Sequence, residues 1–290
     1  GQAIKFTQPA SSSNADRDAA ANIDILSADT RDIHTYGKSF DTSWITIHDT
    51  ATCPTPATCT SWNANTLAKS LGGTPFKRPE NGRFRPGTDF KEFYFDETGD
   101  TDDTPGIGVG GQYGQFGALF KLQLLTGGAG KLTPFYLPAN SVHAGFDNVS
   151  FWDRDHVVAG EDAGDTLHTQ RNALDSAWMF DVRTDYSSGA QPVRVLAEGR
   201  DVSATLDSAF SALASKAGFQ NEGDNEITGW ITSDGNPRTY GMLGERIPKP
   251  FRDGWRTFFT QQHGDNITWE IVKSGDNDDD RDRDDRGRNG

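Results

Sequence analysis

The sequence has few cysteines, few basic residues and no long apolar segment. It contains two cysteines in 290 residues, with no histidine beside them, which suits neither a zinc site nor haem attachment. Because no run of about 18 apolar residues occurs, no membrane-spanning helix is expected. Basic residues number 28 against 42 acidic ones, and the formal net charge of −14 would repel a phosphate backbone. A nucleic-acid partner is therefore not expected.

The composition favours short strands and turns over a helical bundle. Hydrophobic residues make up 34% of the chain and glycine occurs 32 times, which predicts a mainly β fold. The acidic excess fits an extracellular protein that binds divalent cations or a salt-adapted surface, and composition leaves both open. The chain lacks an initiating methionine and a signal-peptide pattern at Gly1, which indicates a processed or excised chain.

The two cysteines, Cys53 and Cys59, lie in the short proline-stiffened loop CPTPATC. A local disulfide and a pair of buried or free thiols both fit this spacing. A disulfide would require an oxidising compartment, so this interpretation predicts a secreted or periplasmic protein.

The chain divides into three regions. Residues 1–40 are rich in Ser, Asp, Asn and Ala and are expected to form an extended leader or surface segment. Residues 41–273 contain about ten short apolar runs between turn signals, which predict a sandwich, a barrel or a propeller. One amphipathic helix is expected near 203–217, and the Asp- and Arg-rich tail 274–290 is expected to be disordered.

Several familiar motifs are excluded by their context. The segment GIGVGGQYGQFG has the glycine spacing of a dinucleotide-binding turn, but an acidic loop precedes it and a strand follows it. The fingerprint requires a preceding strand and a following helix, so we interpret this segment as a loop. The sequence has no nucleophile elbow and no zinc-protease pair of histidines.

Oxygen-rich side chains recur where apolar runs begin or end. Singly, each is typical of a turn, but calcium takes six to eight oxygen ligands from separate loops, so together they indicate a hard-cation site. His263 ends another apolar run and is a candidate ligand or acid–base group, or a structural histidine. The candidate metal ligands are Glu80, Asp147, Glu161, Asp162 and Glu226.

Four segments of the chain resemble the PhoX-type alkaline phosphatases, a secreted bacterial family. They contain an Arg-Pro-Glu segment, an Asp-Asn strand leading to an acidic pair, a Glu-x-Thr-Gly segment and a closing Gln-His-Gly segment. In this sequence they read RPENGRFRPG, FDNVSFWDRDHVVAGED, NEITGWITSDG and WRTFFTQQHGDN. Their order and context match over about residues 74–270.

The resemblance implies a six-bladed β-propeller with calcium and iron at its axis, which hydrolyses phosphate monoesters. Position by position, it implies that Glu80, Glu161 and Glu226 face the metal, that Arg78 contacts phosphate, and that Asp147, Asp162 and His263 are further candidates. Arg78, Glu161 and His263 are the expected catalytic residues. Because VVAGEDAGD matches the end of an inner strand in this family, strand alternation makes Glu161 the expected axis-facing ligand and Asp162 a turn residue or secondary ligand.

The chain also departs from the family pattern. Family members are longer, and the blades that would precede the Arg-Pro-Glu segment are not found, so about half of a ring is expected here. Because closure removes exposed sheet edges, either another chain completes the ring or the edges serve self-assembly. The rival hypothesis is a non-catalytic, calcium-stabilised extracellular module for assembly or adhesion. A sugar-active enzyme with paired carboxylates is a third alternative.

Overall fold

The computed structural model describes twelve parts of the chain. These are residues 2–6, 32–49, 64–74, 76–99, 114, 116–139, 143–162, 175–197, 226–238, 245–252, 254–262 and 267–273. Several predictions lie outside the described residues: the Cys53–Cys59 pair, His263, the helix expected near 203–217 and the charged tail 274–290.

Within the described ranges the chain is mainly β, which confirms the predicted class. One short helix, α1, spans Ala64–Ser70, and 3-10 turns lie at Thr126–Gly128 and Tyr186–Ser188. The strands are β1 (Gln2–Phe6), β2 (Phe40–Thr46), β3 (Pro79–Phe84), β4 (Glu92–Glu97), β5 (Ala118–Leu124), β6 (Gly130–Tyr136), β7 (Phe146–Phe151), β8 (His156–Glu161), β9 (Ser176–Asp181), β10 (Val193–Ala197), β11 (Glu226–Ser233), β12 (Arg256–Gln262) and β13 (Thr268–Ile271).

The strands form three antiparallel sheets. Sheet A has the order β1-β2-β6-β5-β4-β3, sheet B the order β10-β9-β8-β7, and sheet C the order β11-β12-β13. Sheets B and C are simple meanders, as is the part of sheet A from β3 to β6. Each meander begins with one strand, β3, β7 or β11, and both β3 and β11 contact β7. We call these three the inner strands.

Sheet B lies between the other two sheets because β8 is apolar on both of its faces. Side chains alternate across a strand, so neighbouring residues of β8 enter different cores. Val157 and Ala159 pack in a cluster with Tyr94 and Leu119 of sheet A. Val158 instead packs in a cluster with Ile227 of sheet C. The small apolar residues of β8 therefore pack sheet B against both of its neighbours.

Gly160 of β8 allows sheet C to approach closely. A Cβ atom at this position would lie 2.5 Å from the backbone oxygen of Ile227 in β11. Any larger residue would therefore push β11 away from β8.

Part of the expected leader belongs to the sheet. Gln2–Phe6 pairs antiparallel with β2, and Ile33 is fully buried in a core cluster with Phe40 and Phe120. Beside it, the buried carboxylate of Asp32 accepts a 2.7 Å hydrogen bond from Lys38 Nζ. In the part of the chain that the structure describes, no helix is long and apolar enough to span a membrane.

Candidate metal centre

Three carboxylates meet where the inner strands of sheets B and C begin. Asp147 lies on β7, Asp162 directly follows β8, and Glu226 is the first residue of β11. One carboxylate oxygen from each lies within 4.8 Å of the others. Glu226 is 5% exposed, whereas Asp147 and Asp162 are half-buried. We call Asp147, Asp162 and Glu226 the carboxylate group.

A β-bulge helps to aim Asp147 at this group. In the pairing of β7 with β8, Phe146 lies opposite Glu161 and Asn148 opposite Gly160, so Asp147 is the extra residue. A bulge re-aims a side chain that regular alternation would direct elsewhere. The pairings of β3 with β4 and of β11 with β12 are also irregular. All three inner strands therefore depart from regular pairing, β3 and β7 near their first residues and β11 in its middle.

Asn148 joins the carboxylates to the backbone of β11. Its Nδ2 donates to Asp147 Oδ2 at 3.2 Å and to Glu226 Oε1 at 3.4 Å. Its Oδ1 accepts from Thr228 Oγ1 at 3.0 Å and from the Gly229 N–H at 3.2 Å. The side chain is 6% exposed and uses both ends of its amide, so it fixes the spacing between sheets B and C.

Two further donors hold the outer sides of the carboxylate group. Thr98, after β4, donates from Oγ1 to Asp147 Oδ1 at 3.1 Å. Gln262 lies opposite Glu226 in the ladder and donates from Nε2 to Glu226 Oε2 at 2.6 Å. The orientation of the group is therefore set by residues from sheets A, B and C.

Burial, together with the proximity of the other acids, raises the pKa of Glu226. Burial is the largest cause, followed by a hydrogen bond shared with Asp147 and by the charges of Asp162 and Asp147, and the pKa reaches about 8. Because two carboxylates in contact cannot both ionise without cost, Glu226 keeps a proton near neutral pH when no cation balances the charge.

A fourth acid, Asp96 of β4, lies beside the group in a fully buried position. Its Oδ1 accepts from the Asn81 N–H at 2.7 Å, while Oδ2 has no hydrogen-bond partner among the described residues. Burial raises the pKa of Asp96 well above its usual range, and the charges of Asp147 and Glu80 add to this effect. A protonated Asp96 would limit the negative charge near Asp147.

Glu161 has a different role from its neighbour Asp162. Its carboxylate is fully buried and accepts from the Ala144 N–H at 3.0 Å and the Ser176 N–H at 2.9 Å. These bonds tie the segment before β7 to the start of β9. The structure therefore brings Asp162, rather than Glu161, into the carboxylate group, although strand alternation favoured Glu161.

Glu80 and Arg78 form an exposed pair at the start of β3. Arg78 Nε lies 3.9 Å from Glu80 Oε1, and both side chains are exposed. Arg78 has a φ of 54°, in the left-handed region, and its carbonyl accepts from the Thr98 N–H at 3.0 Å. Since Thr98 also bonds Asp147, Arg78 lies next to the carboxylate group without belonging to it.

The structure thus brings together three of the five sequence-predicted metal ligands. Thr98, Gln262 and Asp96 were not predicted from the sequence as parts of the site. A carboxylate in the apolar run FYFDE was the signal available for Asp96, since a buried acid requires a partner or a proton. No family model, curated protein or solved structure matches the chain, so its function has to be inferred from this geometry.

Proposed function

We propose that this chain binds calcium through Asp147, Asp162 and Glu226, and that the site serves the hydrolysis of phosphate monoesters. The convergence of three carboxylate oxygens within 4.8 Å carries this proposal. Calcium contacts its oxygen ligands at about 2.4 Å, so ligand atoms on opposite sides of the ion are about 4.8 Å apart.

The chemistry of the donors favours calcium over iron. The carboxylate group contains neither histidine nor cysteine, and oxygen-only sites suit hard cations such as calcium, magnesium or manganese. Asn148, Thr98 and Gln262 orient the carboxylates, as partners of metal ligands commonly do.

The sheet arrangement supports a propeller architecture. A propeller repeats four-stranded meanders around an axis, with the first strand of each innermost. Sheet B has four strands in this order, and the inner strands of sheets A, B and C are neighbours. Three such blades would be half of the six-bladed ring that the resemblance to PhoX-type phosphatases implies.

Arg78 is the proposed phosphate contact. Its guanidinium is exposed and can offer two parallel N–H donors to phosphate oxygens, a geometry that lysine lacks. Thr98 connects the backbone of Arg78 to Asp147, so a phosphate ester held by Arg78 would lie near the carboxylates. A bound cation would supply neutralisation of phosphate charge and activation of a nucleophile. The chain's own residues would bind and orient the ester.

The second candidate is a structural calcium site in a module for assembly or adhesion. The carboxylate group joins sheets B and C, so an ion there would hold two sheets together. The outer strands also expose apolar side chains, with Val193 of β10 65% and Trp269 of β13 46% exposed. Such edges could meet a second chain, which could also complete the ring.

Calorimetry and a phosphatase assay on the same samples test both functions. We expect chelator-treated protein to bind calcium, Asp162→Asn to bind it at least tenfold more weakly, and the exposed-site control Asp41→Asn to bind it normally. Hydrolysis of p-nitrophenyl phosphate should require calcium and should fall in Arg78→Gln while calcium binding persists. Calcium binding without hydrolysis would favour the structural role, and a lack of calcium binding would refute both.

A further inference from the structure

A second polar site lies at the opposite ends of the inner strands. Asp147 and Glu226 lie near the beginnings of β7 and β11, whereas a cavity is lined by residues near their ends. The cavity brings together residues near the ends of all three inner strands, and the carboxylate group brings together the starts of β7 and β11, so the inner strands run side by side in the same direction. The cavity lining includes Arg83, Ser150, Thr232, Ser233, Arg246 and Trp255.

Arg83 of β3 carries a positive charge with no carboxylate to balance it. Its guanidinium makes no ion pair or hydrogen bond with any residue that the structure describes, although the side chain is half-buried. Burial lowers the pKa of Arg83, but guanidinium groups remain protonated in proteins. A partly desolvated cation of this kind favours an anionic partner.

Ser150 of β7 contributes an unused hydroxyl to the same cavity. The residue is 4% exposed, and its hydroxyl has no hydrogen-bond partner among the described residues. The neighbouring Thr232 hydroxyl is paired with Thr257 at 3.0 Å. This hydroxyl is therefore available to donate to an acceptor bound in the cavity.

Arg246 contributes a second cation whose charge is already balanced. It forms an ion pair with Asp234, and its guanidinium lies 5.7 Å from the ring centre of Trp255. Since Asp234 offsets Arg246, the lining keeps the net positive charge of Arg83, in a chain whose formal charge is −14. The positive charge of this cavity is therefore opposite in sign to the net charge of the whole chain.

From these contacts we propose that the cavity binds a small tetrahedral oxyanion, phosphate or sulfate. Arg83 would bind two of its oxygens through the guanidinium fork, and the Ser150 hydroxyl would donate to a third. The cavity measures about 30 Å³, whereas a single water occupies about 10–15 Å³ on the same measure, so it has room for a small group such as phosphate. A tetrahedral group suits donors from separate strands better than a planar carboxylate does.

Calorimetric titration of inorganic phosphate and of sulfate into chelator-treated protein tests the proposal. We expect Arg83→Gln to bind phosphate about 10- to 100-fold more weakly, since hydrogen bonds between charged groups contribute strongly. Ser150→Ala should weaken binding by up to about tenfold, and Arg83→Lys should fall between the wild type and Arg83→Gln. Arg194→Gln, at an exposed arginine on the outer strand β10, is the control and should bind phosphate normally.

The outcomes separate this site from the carboxylate group. Phosphate binding without calcium that persists in Asp162→Asn would support an independent anion site. No phosphate or sulfate binding at millimolar concentrations, or unchanged binding in both Arg83→Lys and Ser150→Ala, would overturn the proposal. Acetate binding as tight as phosphate binding would refute the tetrahedral ligand. Thermal melting of each variant, with Ser150→Ala as the mildest change, ensures that weakened binding is measured on folded protein.

Discussion

The Glu226→Gln substitution should stabilise the calcium-free fold at alkaline pH, and saturating calcium should reduce or reverse this advantage. Glutamine resembles protonated glutamate in shape and can donate to Asp147 as the shared proton does. It can also still accept the hydrogen bond from Gln262 Nε2. The variant therefore keeps the contacts with Gln262 and Asp147, loses the weak 3.4 Å bond from Asn148 Nδ2, and removes one negative charge from the carboxylate group.

The pKa of Glu226 sets the size and the sign of the effect. Its pKa rises from 4.5 to about 8 on folding, so between these pH values the folded state binds more protons than the unfolded state. Stability of the calcium-free wild type should then fall as the pH rises, by up to about 1.4 kcal/mol per pH unit. Because Glu226 shares its proton with Asp147 and is reached by some water, we expect a total loss of about 2–4 kcal/mol.

Thermal unfolding of both proteins measures this difference directly. Near pH 5 the calcium-free wild type and variant should melt at similar temperatures, and near pH 9 the variant should melt roughly 4–16 °C higher. Saturating calcium at about 100 times its dissociation constant should stabilise the wild type by about 2.7 kcal/mol. The variant lacks one charged ligand and should gain much less, so calcium reduces or reverses its advantage.

The control substitution is Asp41→Asn, which removes the same charge from an exposed carboxylate on β2. It should leave the pH dependence of stability unchanged. Parallel pH dependence of wild type and Glu226→Gln would show that Glu226 does not hold a proton in the fold. An equal response of both proteins to calcium would show that Glu226 is not a ligand.

Three further substitutions test how the site is built. Asn148→Ala should weaken calcium binding at least tenfold in calorimetry and lower the melting temperature, because both sheets lose a bridging hydrogen-bond partner; binding equal to the wild type would contradict this role. Glu161→Gln should cost about 2–4 kcal/mol in chemical unfolding, because an amide cannot accept from both backbone N–H groups, whereas an unchanged midpoint would contradict it. Gly160→Ala should cost about 1–3 kcal/mol and reduce calcium affinity as β11 is displaced from β8. Normal stability and affinity of Gly160→Ala would show that the contact with Ile227 is not tight.

The β class and most strand positions could be predicted from the sequence because they depend on local pattern. Apolar runs between turn residues mark strands wherever they occur, and the run before Glu161 is a clear example. Asp147, Asp162 and Glu226 could likewise be named, because each lies at the edge of such a run. Each of these signals depends on a few neighbouring residues.

The choice between Glu161 and Asp162 could not be predicted, for a physical reason. Alternation gives the facing of a side chain only while the ladder is regular, and the bulge at Asp147 interrupts it. The bond from Asn148 to Glu226 also spans 78 positions of sequence and two different sheets. No local pattern encodes that register, so the hydrogen-bonded support of the site required three-dimensional structure.

Because the inner strands run in the same direction, residues of opposite charge lie at their opposite ends. Acidic residues of the carboxylate group gather where these strands begin, and Arg83 lies where β3 ends. Along β7, Asp147 and Ser150 are three residues apart, or about 10 Å at 3.3 Å per residue. This is about one Debye length at physiological salt, so charges at the two sites only partly neutralise each other through water. A cation at one end and an oxyanion at the other can therefore bind together, and calorimetry with both present should show nearly additive stabilisation.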